Sequence, residues 1–232
     1  MSWTDRKSID HIKQLRDIFK VKTFVETGTF KGINVITHLP NFDMVYSCES
    51  DEENYDYARK KIQDYWINKT EGNPYIYNQT SKEFLKFFKK FYKEAKRKDT
   101  IIFYLDAHFY DPKNNKSNKD RFVVLQELKA LKGFKNCIII IHDFDNNLGH
   151  ITYDGISLDF KLLEKDLNKV NPNFKFYTNE LSSCDIVRPY ETDDPDERAN
   201  LEYAWSKPEK TFRGILYCVP KKINIKGLKE WN

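Results

Sequence analysis

The four cysteines, Cys48, Cys137, Cys184 and Cys218, stand far apart and form no C-x-x-C pair. A zinc site is therefore not expected from them, and free thiols in a reducing compartment are the better reading. No apolar run approaches the ~20 residues of a membrane span. The stretch Met1-Ser2-Trp3-Thr4-Asp5-Arg6 lacks the apolar core of a secretion signal. A cytoplasmic protein with no membrane partner is expected, and the sequons at Asn68 and Asn78 mean little without such a signal. Charge of one sign is also missing: 39 basic against 35 acidic residues leave a net charge of +4. That is too balanced to argue for a nucleic-acid partner.

What is present suits a soluble globular chain. Hydrophobic residues make up 40% and charged residues 32% of 232 positions, enough for one substantial α/β domain over residues 1–232. Strand and helix signals alternate, the pattern of a parallel sheet with crossover helices. Residues 5–19 carry Ile9, Ile12, Leu15 and Phe19 near one helical face. Short strands are predicted at Thr23–Glu26, Met44–Cys48 and Tyr75–Tyr77. Ser81 is placed to cap a helix whose Phe84, Phe87, Phe88, Phe91 and Ala95 form an inward stripe, with a solvated lysine face opposite. The runs Thr100–Leu105 and Cys137–Ile141 are continuously apolar, as buried central strands are. Residues 156–170 read as helix. Phe174–Tyr177 and Ile215–Val219 read as an antiparallel pair with no good helix between them, so residues 178–213 are expected to form an insertion or lid.

The most informative segment is Phe24-Val25-Glu26-Thr27-Gly28-Thr29-Phe30-Lys31-Gly32. Gly28 can adopt a positive φ and admit a ligand close to the backbone, and Gly32 can do the same where a helix begins. The loop lies beyond the carboxyl end of the first strand, where open α/β sheets bind ligands. One strand later Glu49 stands at a strand end, where a carboxylate can accept two ribose hydroxyls. A dinucleotide fingerprint needs G-x-G-x-x-G, but Gly28 and Gly32 are four apart with Phe30 between them. An acid in the loop strand would also repel phosphates.

This arrangement resembles the class I S-adenosylmethionine-dependent methyltransferases, on the motif E-T-G-T-F-x-G and an acid 17 residues after Gly32. The resemblance implies a Rossmann-like α/β fold: a mostly parallel seven-stranded sheet with an antiparallel C-terminal edge hairpin and helices on both faces. It implies that Glu26, Thr27, Gly28, Thr29 and Gly32 surround the methionine portion of S-adenosyl-L-methionine. Glu49 would hold the ribose, Ser81 in Asn78-Gln79-Thr80-Ser81 would lie beside the adenine, and Asp106 would also face the cofactor.

A second constellation follows the two apolar runs: Asp106-Ala107-His108 after one and His142-Asp143 after the other. Neighbouring parallel strands end on the same side, so four groups able to bind a metal or move protons should converge. The pattern resembles the metal-dependent sugar O-methyltransferases. That resemblance implies Asp106, His142 and Asp143 as ligands of a divalent metal, Mg²⁺ or Mn²⁺, and His108 and Asp106 as catalytic, with His108 as base. His142 departs from the family by replacing an acid: hard Mg²⁺ prefers oxygen, and imidazole suits softer ions. A histidine that titrates near neutrality suits deprotonation of a hydroxyl.

The expected activity is methyl transfer to a hydroxyl of a sugar, glycan or small molecule. Tyr110, Tyr153, Tyr190, Tyr203 and Trp205 are candidate acceptor contacts in predicted loops. The N-P-P-Y or D-P-P-Y signature of amino methyltransferases is absent. A metal-dependent nucleotide-sugar glycosyltransferase is the alternative, since Asp106-Ala107-His108 weakly resembles D-x-D, and a non-catalytic nucleoside-binding module is a third reading.

Overall fold

The computed structural model describes residues 6–69, 71–107, 122–147, 157–179 and 214–231. Chain order begins with α1 (Arg6–Phe19), β1 (Thr23–Thr27), α2 (Ile33–His38), a 3₁₀ turn (Leu39–Asn41) and β2 (Met44–Glu49). It continues with α3 (Glu52–Lys69), β3 (Pro74–Asn78), α4 (Ser81–Glu94) and β4 (Ile101–Leu105). Then come α5 (Val124–Ala130), β5 (Cys137–Ile141), α6 (Phe160–Val170), β6 (Lys175–Asn179), β7 (Leu216–Val219) and β8 (Leu228–Glu230).

The strands form one sheet in the order β3-β2-β1-β4-β5-β7-β6-β8. The first five are mutually parallel, in a register that sets Thr27 beside Leu105 and Leu105 beside Ile141. β7 runs antiparallel to both β5 and β6. Both central strands are wholly buried, as their unbroken apolar runs require. Alternate side chains enter two cores. Val25, Phe103, Leu105, Ile139 and Ile141 meet Phe84, Phe88, Leu128, Leu163 and Leu167 from α4, α5 and α6. On the other face, Phe24, Val45, Ile102, Ile138 and Ile140 meet Ile12, Leu15, Val35, Ala58 and Ile62 from α1, α2 and α3.

Several details depart from the sequence reading; the helix expected over 156–170 starts only at Phe160, where Asp159 caps it. The sheet has an eighth strand, β8, antiparallel to β6, so the edge belongs to β8 and not to the β6–β7 pair. Its three residues are too few, and too exposed, to carry an alternating pattern. β6 extends through Asn179, so residues 178 and 179 belong to the sheet and not to an insertion; residues 180–213 lie outside the described part. The cap of α4 is Thr80, not Ser81: its hydroxyl accepts from the Glu83 N–H at 3.4 Å and donates to Glu83 Oε2 at 2.7 Å. Phe87 and Phe91 are 44% and 40% exposed, although Phe84 and Phe88 are buried. Phe88 packs on Tyr46 of β2 and Phe103 of β4, whereas Phe87 meets Tyr77 of the edge strand β3 and stacks on Phe91. Lys82, Lys86, Lys90 and Lys93 are exposed, as expected.

His38 closes α2 inside the second core, its ring 4.4 Å from Phe24 and 5.9 Å from Phe42. Neither ring nitrogen has a hydrogen-bond partner among the described residues. Burial, helped by the Lys13 charge, pushes its imidazole down to about 3. An unfolded chain takes up that proton near pH ~6.5 and the folded chain does not, so this group's stabilising contribution is lost as pH falls below that value. His38→Leu should accordingly lose less stability than wild type between about pH 7 and about pH 4. Urea unfolding midpoints across that range test this, and parallel curves would refute it.

Candidate active site

The turn after β1 is built by its glycines. Gly28 has φ +81°, and a Cβ there would lie 2.7 Å from the Asp106 carbonyl oxygen and 3.0 Å from Ala107 Cα. The turn therefore touches the end of β4 with no room for a side chain. Gly32, at φ 77°, is the N-cap of α2, and a Cβ would meet Ile62 at 2.8 Å. Phe30 between them also sits in the left-handed region, at φ 46°. Backbone N–H groups of Gly28 and Thr29 both donate to the Cys48 carbonyl at 3.0 Å, tying the turn to β2.

Glu49 ends β2 half-buried. Its Oε2 accepts from the Phe30 N–H at 2.8 Å, and its Oε1 accepts from the N–H groups of Ser50 and Asp51 at 2.9 and 3.0 Å. These bonds orient the carboxylate and leave lone pairs for further donors. Glu26 is differently placed. It is 0% exposed, with Oε1 accepting from Asn34 Nδ2 at 2.6 Å and Oε2 from the Ser47 hydroxyl at 2.8 Å. The Thr29 hydroxyl joins this group at 2.6 Å from Ser47 Oγ. Burial pushes the Glu26 carboxyl up to about 8, against the two hydrogen bonds and with help from the nearby Asp106 and Glu49 charges. Thr27 Oγ1 accepts from the Asp106 N–H at 3.3 Å. Ser81 is the buried first residue of α4, reached from Glu49 through the Gln79 N–H bonded to the Glu49 carbonyl at 3.0 Å.

The ends of β4 and β5 bring three further groups together. Register places Leu105 beside Ile141, and the His142 N–H donates to the Leu105 carbonyl at 3.2 Å. His142 Nδ1 lies 3.3 Å from Asp106 Oδ1 and 3.2 Å from Asp143 Oδ1. Ligand atoms of all three residues fall within 4.8 Å of one another. Asp143 is held at φ 56°, a conformation that aspartate tolerates better than most residues. Burial opposes a charge on His142, but the two carboxylates outweigh it and lift the imidazole to about 10.

Three of the four residues expected to converge do so. The fourth, His108, lies outside the described residues, as do Tyr110, Tyr153, Tyr190, Tyr203 and Trp205. Sequence reasoning missed Asn34 and Ser47, the partners of Glu26. Their signal was faint: one polar residue in Ile33-Asn34-Val35 and one in Tyr46-Ser47-Cys48, each inside an otherwise apolar stretch.

No protein-family model matches this sequence, and no curated protein matches it. Solved structures do. The chain is similar to a Klebsiella pneumoniae protein provisionally described as an O-methyltransferase, at 10% identity and TM-score 0.51, over 94% of this chain and 82% of that one. It is similar to the magnesium protoporphyrin IX methyltransferase of Synechocystis with bound SAH, at 13% identity and TM-score 0.50, over 93% of this chain and 82% of that one. The methyltransferase domain of bacterial CtHen1-CN aligns at 11% identity and TM-score 0.51, over 92% of this chain and 98% of that one. The chain has the class I methyltransferase fold. In that fold the glycine turn, Glu49 and the Asp106–His142–Asp143 group all lie at the carboxyl ends of parallel strands.

Two glycines separate steric approach from backbone conformation. Gly28 and Gly133 both have strongly positive φ, but a Cβ at Gly133 would meet nothing within 4 Å. Gly133→Ala should cost about 1–2 kcal/mol of stability, the left-handed penalty alone. Gly28→Ala should cost about 1–3 kcal/mol more, because its Cβ strikes backbone. Equal shifts in urea midpoint would show that the turn does not press on β4.

Proposed function

We propose that this protein is an S-adenosylmethionine-dependent O-methyltransferase whose acceptor is a hydroxyl of a sugar, glycan or other small molecule. The observation that carries the reading is the convergence of the glycine turn, Glu49 and a largely buried Asp–His–Asp group at one edge of a class I methyltransferase sheet. Support for the cofactor comes from the neighbour that holds SAH in the same fold.

S-Adenosylmethionine, when bound, would supply an electrophilic methyl carbon, to which an acceptor oxygen would bond as the carbon–sulfur bond breaks and S-adenosylhomocysteine leaves. The residues for it are at hand. Thr27, Gly28, Thr29 and Gly32 form the turn that would follow its methionine portion. Glu49, already oriented by three backbone N–H groups, has acceptor capacity for ribose hydroxyls. Ser81, at the end of the neighbouring β3 crossover, is the residue for the adenine side.

The acceptor needs a different kind of help, since a hydroxyl is a poor nucleophile until its proton leaves. His108, two positions beyond Asp106, takes that proton in this reading. Asp106, Asp143 and His142 offer two carboxylates and one imidazole to a divalent cation, a donor set that suits Mn²⁺ better than Mg²⁺. Such a cation would lower the pKa of a bound hydroxyl and orient it. No helix among the described residues is long and apolar enough to cross a membrane.

Two measurements test this. His108→Ala should bind S-adenosylhomocysteine as wild type does in calorimetry, yet turn over ~10²–10⁴-fold more slowly on an acceptor found by screening sugars and glycoconjugates. Full activity in that variant at neutral pH would remove His108 from the base role. Asp143→Asn keeps the left-handed backbone that asparagine tolerates, and should abolish stimulation by Mn²⁺ together with most activity. Wild-type turnover that survives chelator unchanged would overturn the metal assignment.

A further inference from the structure

The first acid of the glycine motif is the residue expected to face the cofactor, yet its surroundings give it another task. Glu26 is 0% exposed. Each carboxylate oxygen already accepts a short hydrogen bond from a neutral side chain, Asn34 Nδ2 at 2.6 Å and Ser47 Oγ at 2.8 Å. Those partners come from different elements. Asn34 lies in the first turn of α2, two residues past Gly32, and Ser47 lies in β2, two residues before Glu49. Ser47 in turn is 2.6 Å from the Thr29 hydroxyl, so the group reaches into the turn itself.

We infer that Glu26 is a positioning residue that locks the Thr27–Gly32 turn from behind, through Ser47 on β2 and Asn34 on α2, without touching the bound cofactor. This rests on the cofactor reading above. Three anchors set the turn's shape: its start follows Glu26 on β1, its middle hangs from Ser47 through Thr29, and its end enters α2 beside Asn34. Removing the carboxylate would leave a buried amide donor and a buried hydroxyl without their acceptor, and the turn would lose its link between β2 and α2. The neighbouring charges agree with a neutral role. Burial disfavours an anion there, and so do the Asp106 and Glu49 charges.

The decisive comparison is Glu26→Gln against Glu26→Ala, with S-adenosylhomocysteine titrated by calorimetry. A side-chain amide has the same shape and can keep both hydrogen bonds, with its oxygen toward Asn34 and its nitrogen toward Ser47. Glu26→Gln should therefore rescue the loss, with affinity within about threefold of wild type, whereas Glu26→Ala should lose tenfold or more. Asn34→Ala, on a different element, should mimic Glu26→Ala, and the double variant should be no worse than either single one. A tenfold or greater loss in Glu26→Gln with unchanged urea midpoint would overturn the inference, because it would mean a direct ionic contact. The same variants are read without ligand. The Glu26→Ala and Asn34→Ala shifts in urea midpoint should be non-additive, and additive shifts would also overturn it. If wild type binds no S-adenosylhomocysteine, the proposed function fails, and the unfolding cycle still decides whether Glu26 holds the turn.

Discussion

Parallel pairing of β1, β4 and β5 is the constraint on which everything else rests. Parallel strands all run the same way, so their carboxyl ends share one edge of the sheet, and the register decides which residues meet there. Thr27, Leu105 and Ile141 are level across the three strands. The next residues on each strand are therefore neighbours, and they are Gly28, Asp106 and His142. A slip of one residue in β4 would turn Asp106 to the other face and break the group with His142 and Asp143. The unbroken apolar character of β4 and β5 holds that register, because both faces of each strand are buried against helices.

The polar edge built on this core contains two charge arrangements of opposite character. Around His142, two carboxylates outweigh burial and raise the imidazole's pKa, and theirs are the oxygens a divalent cation would meet. Around Glu26, burial and the nearby Asp106 and Glu49 charges raise the carboxyl's pKa against two neutral donors. The two sites are linked by backbone: the Thr27 hydroxyl accepts from the Asp106 N–H, and Gly28 lies against the Asp106 carbonyl. A shift in the glycine turn therefore moves Asp106 through both contacts.

Much of this was legible in the chain itself. The apolar runs ending at Asp106 and His142 marked both central strands, because only a strand buried on both faces can be apolar without alternation. Gly28 and Gly32 marked the turn, because positive φ and close approach favour glycine. The aromatic stripe of α4 was read correctly in period but not in depth: Phe84 and Phe88 are buried, whereas Phe87 and Phe91 stay partly exposed. Period reports which residues share a face. How much of that face is covered depends on where the sheet ends.

What the sequence by itself determined is the order of elements, the two buried strands, the glycine turn and the acids at strand ends, since each follows from local pattern and backbone sterics. Tertiary structure decided the rest. It placed β8 on the outer edge, assigned the α4 cap to Thr80, and set Asn34 and Ser47 on the oxygens of Glu26. It also gave Glu26 and Glu49, both acids at or near strand ends, unlike surroundings. Burial and partner geometry depend on which segments meet across the fold, and a carboxylate carries no mark in the sequence of whether water or a neighbouring side chain will satisfy it.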